Sequence, residues 1–297
     1  MFRTQTGDLR APWRVLIFGA LLFVAAFFVA QSEAALAAFT PLERWARWGR
    51  VSLDVWGTAL AVVLATWATG RVVFGEDHGI WRTVGLDRLA WAPRTVLLGL
   101  VVGALVVAVP VVLMVATGQI RFEPAAAIES PAVVVWSAFA LMLPAAISEE
   151  VLMRGYLFSA VRDGVGTKTA VVVLSVGFGL AHLANPDPSV VALVAVMCAG
   201  AFLALVRVVT GSLVAAIAVH LAFNLTQAVV FHAPVSGLAL QTPGYRMVPI
   251  GPAWLTGGAW GPEGGVAVVA ALALASLLLL KRAKGTQFLA GTGQTQL

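Results

Sequence analysis

Charge is what this sequence has least of. Only 11% of its 297 residues are Asp, Glu, Lys or Arg, 60% are hydrophobic, and the mean hydropathy is +0.92. A soluble domain carries roughly 25% charged residues, so a soluble globular chain is excluded. There is one cysteine, Cys198, which excludes a disulfide within the chain and a cysteine metal cluster. No internal repeat and no separate soluble domain is visible, and the HExxH spacing of a zinc-peptidase helix does not occur. No histidine neighbours Ser148 or Cys198 in sequence, so nothing points to a Ser–His or Cys–His nucleophile. Basic residues outnumber acidic ones, 19 to 14. Lys- and Arg-rich cytoplasmic loops produce that balance without nucleic acid, and the expected partner is the lipid bilayer.

What is there is eight apolar runs, most of them near the 20 or so residues that span a bilayer. They are Pro12–Ala30, Val51–Phe74, Pro93–Thr117, Pro131 to about Val161, Thr169–Leu183, Ser189–Val209, Ser212–Phe231 and Gly264–Leu280. The expected fold is therefore all-α: a polytopic membrane protein of about eight transmembrane helices. Pro110 marks a kink in the third. The fourth, at 1.5 Å per residue, is about 45 Å long. It must emerge into the interface or break near Pro144. Arg3, Arg10 and Arg14 before the apolar stretch Val15–Ala30 resemble a signal peptide, but the length of that stretch and the spans behind it favour an uncleaved helix. Trp13, Trp56, Trp81, Trp91, Trp254 and Trp260 lie near segment ends, as interfacial belts require. Three parts are expected: 1–130 with the first three helices, 131–231 with the fourth to seventh, and 232–297 with a polar Gly/Pro-rich loop, the last helix and a tail.

Loop Lys and Arg set orientation. With both termini cytoplasmic, the inner segments hold Arg3, Arg10, Arg14, Arg82, Arg88, Arg94, Arg154, Arg162, Lys168, Arg207, Lys281, Arg282 and Lys284. The outer loops hold Arg44, Arg47, Arg50, Arg121 and Arg246. The expected location is a bacterial inner membrane, with Arg207 as a positive-inside anchor.

Against this apolar background, Glu149, Glu150 and Arg154 fall within six residues. An ionised side chain at mid-membrane costs roughly 2.5–3.5 kcal/mol on the insertion scale, so three together need a reason. Glu150 and Arg154 are i,i+4 with the acid first, the favourable order for an ion pair. Glu149 is turned about 100° from Glu150. His182 ends the fifth run, and His220 and Asn224 share one face of the seventh. Each has a bland reading: a solvated helix end, a hydrogen-bonded core histidine, interhelical glue. Together, on three helices close in sequence, they are an inventory for water activation. A carboxylate and a histidine act as base, and a second histidine and an amide donate to an oxyanion. Two histidines and a carboxylate also leave zinc open. Proton relay in a transporter is the other alternative, though the inverted repeats typical of transporters are missing.

The ordered set Glu149-Glu150-x-x-x-Arg154, Phe178-x-x-x-His182 and His220-x-x-x-Asn224 resembles the CPBP family of CAAX proteases and bacteriocin-processing enzymes, also called the ABI family. Tyr156-Leu157-Phe158 and Asn185-Pro186 fit as well, and the resemblance covers about Pro131 to Phe231. It implies an eight-helix intramembrane glutamic endopeptidase with a cytoplasm-facing cavity. In that scheme Glu149 and His182 activate water, His220 and Asn224 form the oxyanion site, and Glu150 with Arg154 is a supporting buried pair. No cofactor is implied. The implied partner is a membrane-anchored protein or peptide substrate. A non-proteolytic immunity or scaffold factor of the same fold is the alternative, as is a metal-dependent protease.

Overall fold

The computed structural model describes residues 9–39, 46–75, 79–126, 130–239 and 244–284. Among the described residues, eight helices are long and apolar enough to cross a membrane, and the protein is an all-α integral membrane protein. Large apolar side chains face outward, Phe23 at 74% and Trp136 at 71% exposure among them. In water such faces would be a liability; in a bilayer they meet acyl chains. The chain forms two compact units.

The first unit draws on Met1–Leu89 and Ala140–Ala170. Helix α1 (Ala11–Phe39) packs along α2 (Ala46–Phe74). The 35-residue span Pro131–Val165 ends in this unit. It opens as α4 (Pro131–Glu150), runs through wider π-type turns at Val151–Tyr156 and resumes as α5 (Leu157–Val165). The irregularity falls at Gly155 (φ −84°, ψ −122°), not at Pro144, which lies inside the helix. Pro144 removes one backbone donor, which a membrane helix tolerates. Gly155 has no Cβ to oppose a non-helical ψ. Tyr156, fully buried, is held by Phe18 and Phe74 at ring-centroid distances of 5.6 and 6.3 Å. Arg14 of α1 donates to the Tyr156 hydroxyl at 3.2 Å and to Asp163 of α5 at 2.8 Å.

The second unit draws on Ala90–Phe139 and Val171–Gln296. It contains α3 (Pro93–Ala116), most of α6 (Thr167–Ala181), α7 (Val190–Thr210), α8 (Leu213–Leu225) and α9 (Val266–Lys284). Pro at N1 starts α3, which runs through Pro110. Ser189 caps α7 and Ser212 caps α8, each hydroxyl accepting from the backbone N–H three residues on at 3.0 Å. Gly211, at φ +69°, lets α7 turn into α8 within two residues. Helices α3 and α8 pack closely because Gly103 has no side chain: a Cβ there would run into the Val219 backbone. Small residues permit such approach in membranes, where dispersion replaces the hydrophobic effect.

Three features depart from the sequence expectations. Ile120–Ala125 (β1) and Gly244–Pro249 (β2) pair antiparallel, Ile120 opposite Pro249, inside what read as loops. Trp260, expected in an interfacial belt, is 2% exposed, and Arg207, expected as a surface anchor, is 7% exposed.

Candidate active site

The acidic stretch belongs to the first unit. At the end of α4, Glu150 Oε1 accepts from Arg154 Nη1 at 2.8 Å, and the two side chains are 0% and 1% exposed. The helical spacing makes this pair, and burial keeps water from screening it. It is not a solvated helix end. Glu149, on the next face, is half-buried and within electrostatic reach of Arg154.

The histidines and the asparagine belong to the second unit. His182 follows the last residue of α6 and opens the 3₁₀ turn His182–Ala184. Its Nδ1 lies 2.7 Å from the Phe178 carbonyl oxygen. A carbonyl only accepts, so Nδ1 carries the proton, and in the neutral ring Nε2 keeps its lone pair. The partner thus assigns the tautomer. The Phe178 ring stands edge-on to both imidazoles, 4.8 Å from His182 and 6.2 Å from His220 between centroids. Asn224, one turn beyond His220 on α8, is buried at 7% exposure.

His182, His220 and Asn224 line one cavity. Val196, Phe202, Phe223 and Leu272 supply its apolar walls. About 40 Å³ is open to the centre of a water molecule, more than the roughly 10–15 Å³ one water needs. The wall thus offers one nitrogen lone pair, a second imidazole and an amide, able between them to orient a water and to donate to an oxyanion.

Ser236 and Glu263 complete the polar wall. Glu263 was not among the candidates. It follows Gly261-Pro262, precedes Gly264-Gly265, and reads as a loop end. Its one signal is scarcity: it is the only acid after Asp187. Burial pushes its carboxyl above the usual range, opposed by hydrogen bonds from Ser236, electrostatic attraction to the His182 ring and a hydrogen bond from Gln227. Among the described residues, no three His, Cys, Asp or Glu side chains are grouped so as to hold a metal ion. His78 lies outside the described residues. His232 is engaged elsewhere, stacked on Tyr245 at 4.0 Å.

Residues 131–226 match the family model described as Rce1-like, Type II CAAX prenyl endopeptidase Rce1-like. No curated protein and no solved structure matches the chain. The matched segment contains Glu149, Glu150, Arg154, His182, His220 and Asn224, and ends before Ser236 and Glu263. Over residues 131–226, this integral membrane protein is similar to the type II CAAX prenyl endopeptidase Rce1-like family.

Proposed function

We propose that this protein is an intramembrane glutamic endopeptidase that hydrolyses a peptide bond in a membrane-associated protein or peptide. Glu149 takes a proton from water while the His182 Nε2 lone pair orients it. The hydroxide formed attacks the scissile carbonyl. The resulting oxyanion is met by donors from His220 and Asn224, each such donor being worth about 2.7–4 kcal/mol in comparable sites. Collapse of the tetrahedral species expels the amine, which takes up the proton held by the base. Glu150, fixed by Arg154, keeps the helix end rigid and leaves Glu149 as the reactive carboxylate. Base, orienter and oxyanion donors are all side chains of this chain, so the reaction as written needs no cofactor.

The observation that carries this reading is that His182 and the His220–Asn224 pair, from two helices apart in sequence, line one cavity. The family adds the reaction class: its description names a CAAX prenyl endopeptidase, which points to a lipidated C-terminal tail as substrate. The test is incubation of the purified protein with a membrane-inserted peptide ending in a CAAX sequence, prenylated or bare, with products identified by mass spectrometry. The wild type is expected to release a C-terminal fragment, and Glu149→Gln is expected to release none. A well-folded Glu149→Gln protein that cleaves at the wild-type rate would remove Glu149 from the mechanism.

A further inference from the structure

Glu263 lies outside the matched family segment and outside every motif of the sequence, yet it stands in the wall of the cavity at 7% exposure. Its Oε1 accepts from the Ser236 N–H at 2.5 Å and the Ser236 hydroxyl at 2.7 Å. Its Oε2 accepts from Gln227 Nε2 at 3.1 Å. Each of these partners leads to one side of the cavity. The Ser236 carbonyl accepts from Asn185 Nδ2 at 3.0 Å, and Asn185 closes the turn that His182 opens, its N–H donating to the His182 carbonyl at 3.1 Å. Gln227 follows Asn224 by three residues, just past the end of α8, and also donates to the Pro234 carbonyl at 2.6 Å.

Ser236 is held in a left-handed conformation at φ +48°. A non-glycine residue there is strained and persists only where its surroundings impose it. Glu263 imposes it twice, through the backbone N–H and the hydroxyl. Behind it the segment is anchored: the Gly237 N–H donates to the Trp260 carbonyl at 2.9 Å, and a Cβ on Gly237 would strike Pro186. A loop that served only to close the fold would be cheaper with an apolar residue at this point, because a buried carboxylate costs free energy unless fully compensated. Glu263 is also within electrostatic reach of His182.

We propose that Glu263 is a positioning residue: through Ser236–Asn185 on one side and Gln227 on the other, it holds the His182 imidazole in register with the His220–Asn224 pair. The inference rests on the proteolytic reading of this cavity for its consequence, but the positioning itself is measurable without turnover. The experiment uses the full-length protein in detergent and compares Glu263→Gln and Glu263→Ala with the wild type. Glu263→Gln keeps the shape and an acceptor for Ser236 but turns a donor towards Gln227; Glu263→Ala removes all three bonds. Three quantities are read: thermal midpoint, kcat and KM on a cleaved peptide, and the side-chain ¹⁵N signals of His182, assigned by their loss in His182→Gln. The expected result is KM within twofold of wild type, kcat reduced at least tenfold in Glu263→Ala and less in Glu263→Gln, and displaced or broadened His182 signals in both. A folded Glu263→Ala protein with wild-type kcat and an unchanged His182 spectrum would overturn the proposal. Should Glu263→Ala not fold, Glu263→Gln decides on the same readouts. Should the wild type cleave no peptide, the proteolytic reading fails, and the His182 spectrum alone supports or overturns the positioning role.

Discussion

Removing the Glu150 side chain tests the most buried charge pair in the first unit. The pair is 2.8 Å long and its members are 0% and 1% exposed. Glu150→Ala leaves the Arg154 guanidinium where no solvent reaches it. Breaking a buried pair from one side costs roughly 3–5 kcal/mol, mostly the penalty of the charge left behind. At about 1.4 kcal/mol per factor of ten, that shifts the folding equilibrium by roughly a hundred- to several-thousand-fold. Glu149 is within electrostatic reach of Arg154 and offsets part of the loss, which places the expectation at the lower end of the range. The assay is equilibrium unfolding in mixed micelles with increasing denaturing detergent, run beside the double variant Glu150→Ala/Arg154→Met. Replacing both members of a buried pair with apolar volume is often neutral or stabilising, so the double variant should recover most of the loss. A Glu150→Ala cost below about 1 kcal/mol, the range of an exposed pair, would refute the reasoning. So would a double variant no more stable than the single one.

Gly103→Leu should destabilise by about 1–3 kcal/mol or more in the same assay, because an added side chain meets the Val219 backbone and forces α3 from α8; wild-type stability would show that the two helices do not depend on this contact. The loop-charge count predicts cytoplasmic termini, so a reporter fused after Leu297 should read as cytoplasmic and one inserted near Gly244 as external. The reverse pattern would put the Glu149–Arg154 stretch at the opposite face.

Most of the architecture was legible because apolar length is a direct physical requirement of the bilayer. All eight spans fall where the apolar runs lie, and the Glu150–Arg154 pair follows from i,i+4 spacing alone. What escaped was long-range. The pairing of Ile120–Ala125 with Gly244–Pro249 joins two short stretches over a hundred residues apart; Ile120-Arg121-Phe122-Glu123 alternates apolar and polar residues, but for only four positions before Pro124, and nothing local names its partner. Trp260 looked interfacial because it lies near the start of the last apolar run, yet its segment folds inward and buries it. Glu263 escaped because its surroundings in sequence are loop-like, and only the fold brings Ser236 and Gln227 to it. The break at Gly155 rather than Pro144 shows how helix continuity is decided by what neighbours can re-satisfy, not by proline alone.

The central claim is that Glu149 and His182 act together on one water, and a double-mutant cycle on cleavage rate tests it most directly. Turnover is measured for Glu149→Gln, His182→Ala and the double variant, each first shown to be folded by its thermal midpoint. Residues that work as a unit lose most of their contribution when either is removed, and removing the second adds little. The expected result is a loss of about 10³-fold or more in kcat for each single variant and no further loss in the double. Losses that multiply would show two independent contributions, and near-normal turnover by the folded Glu149→Gln protein would contradict the mechanism outright.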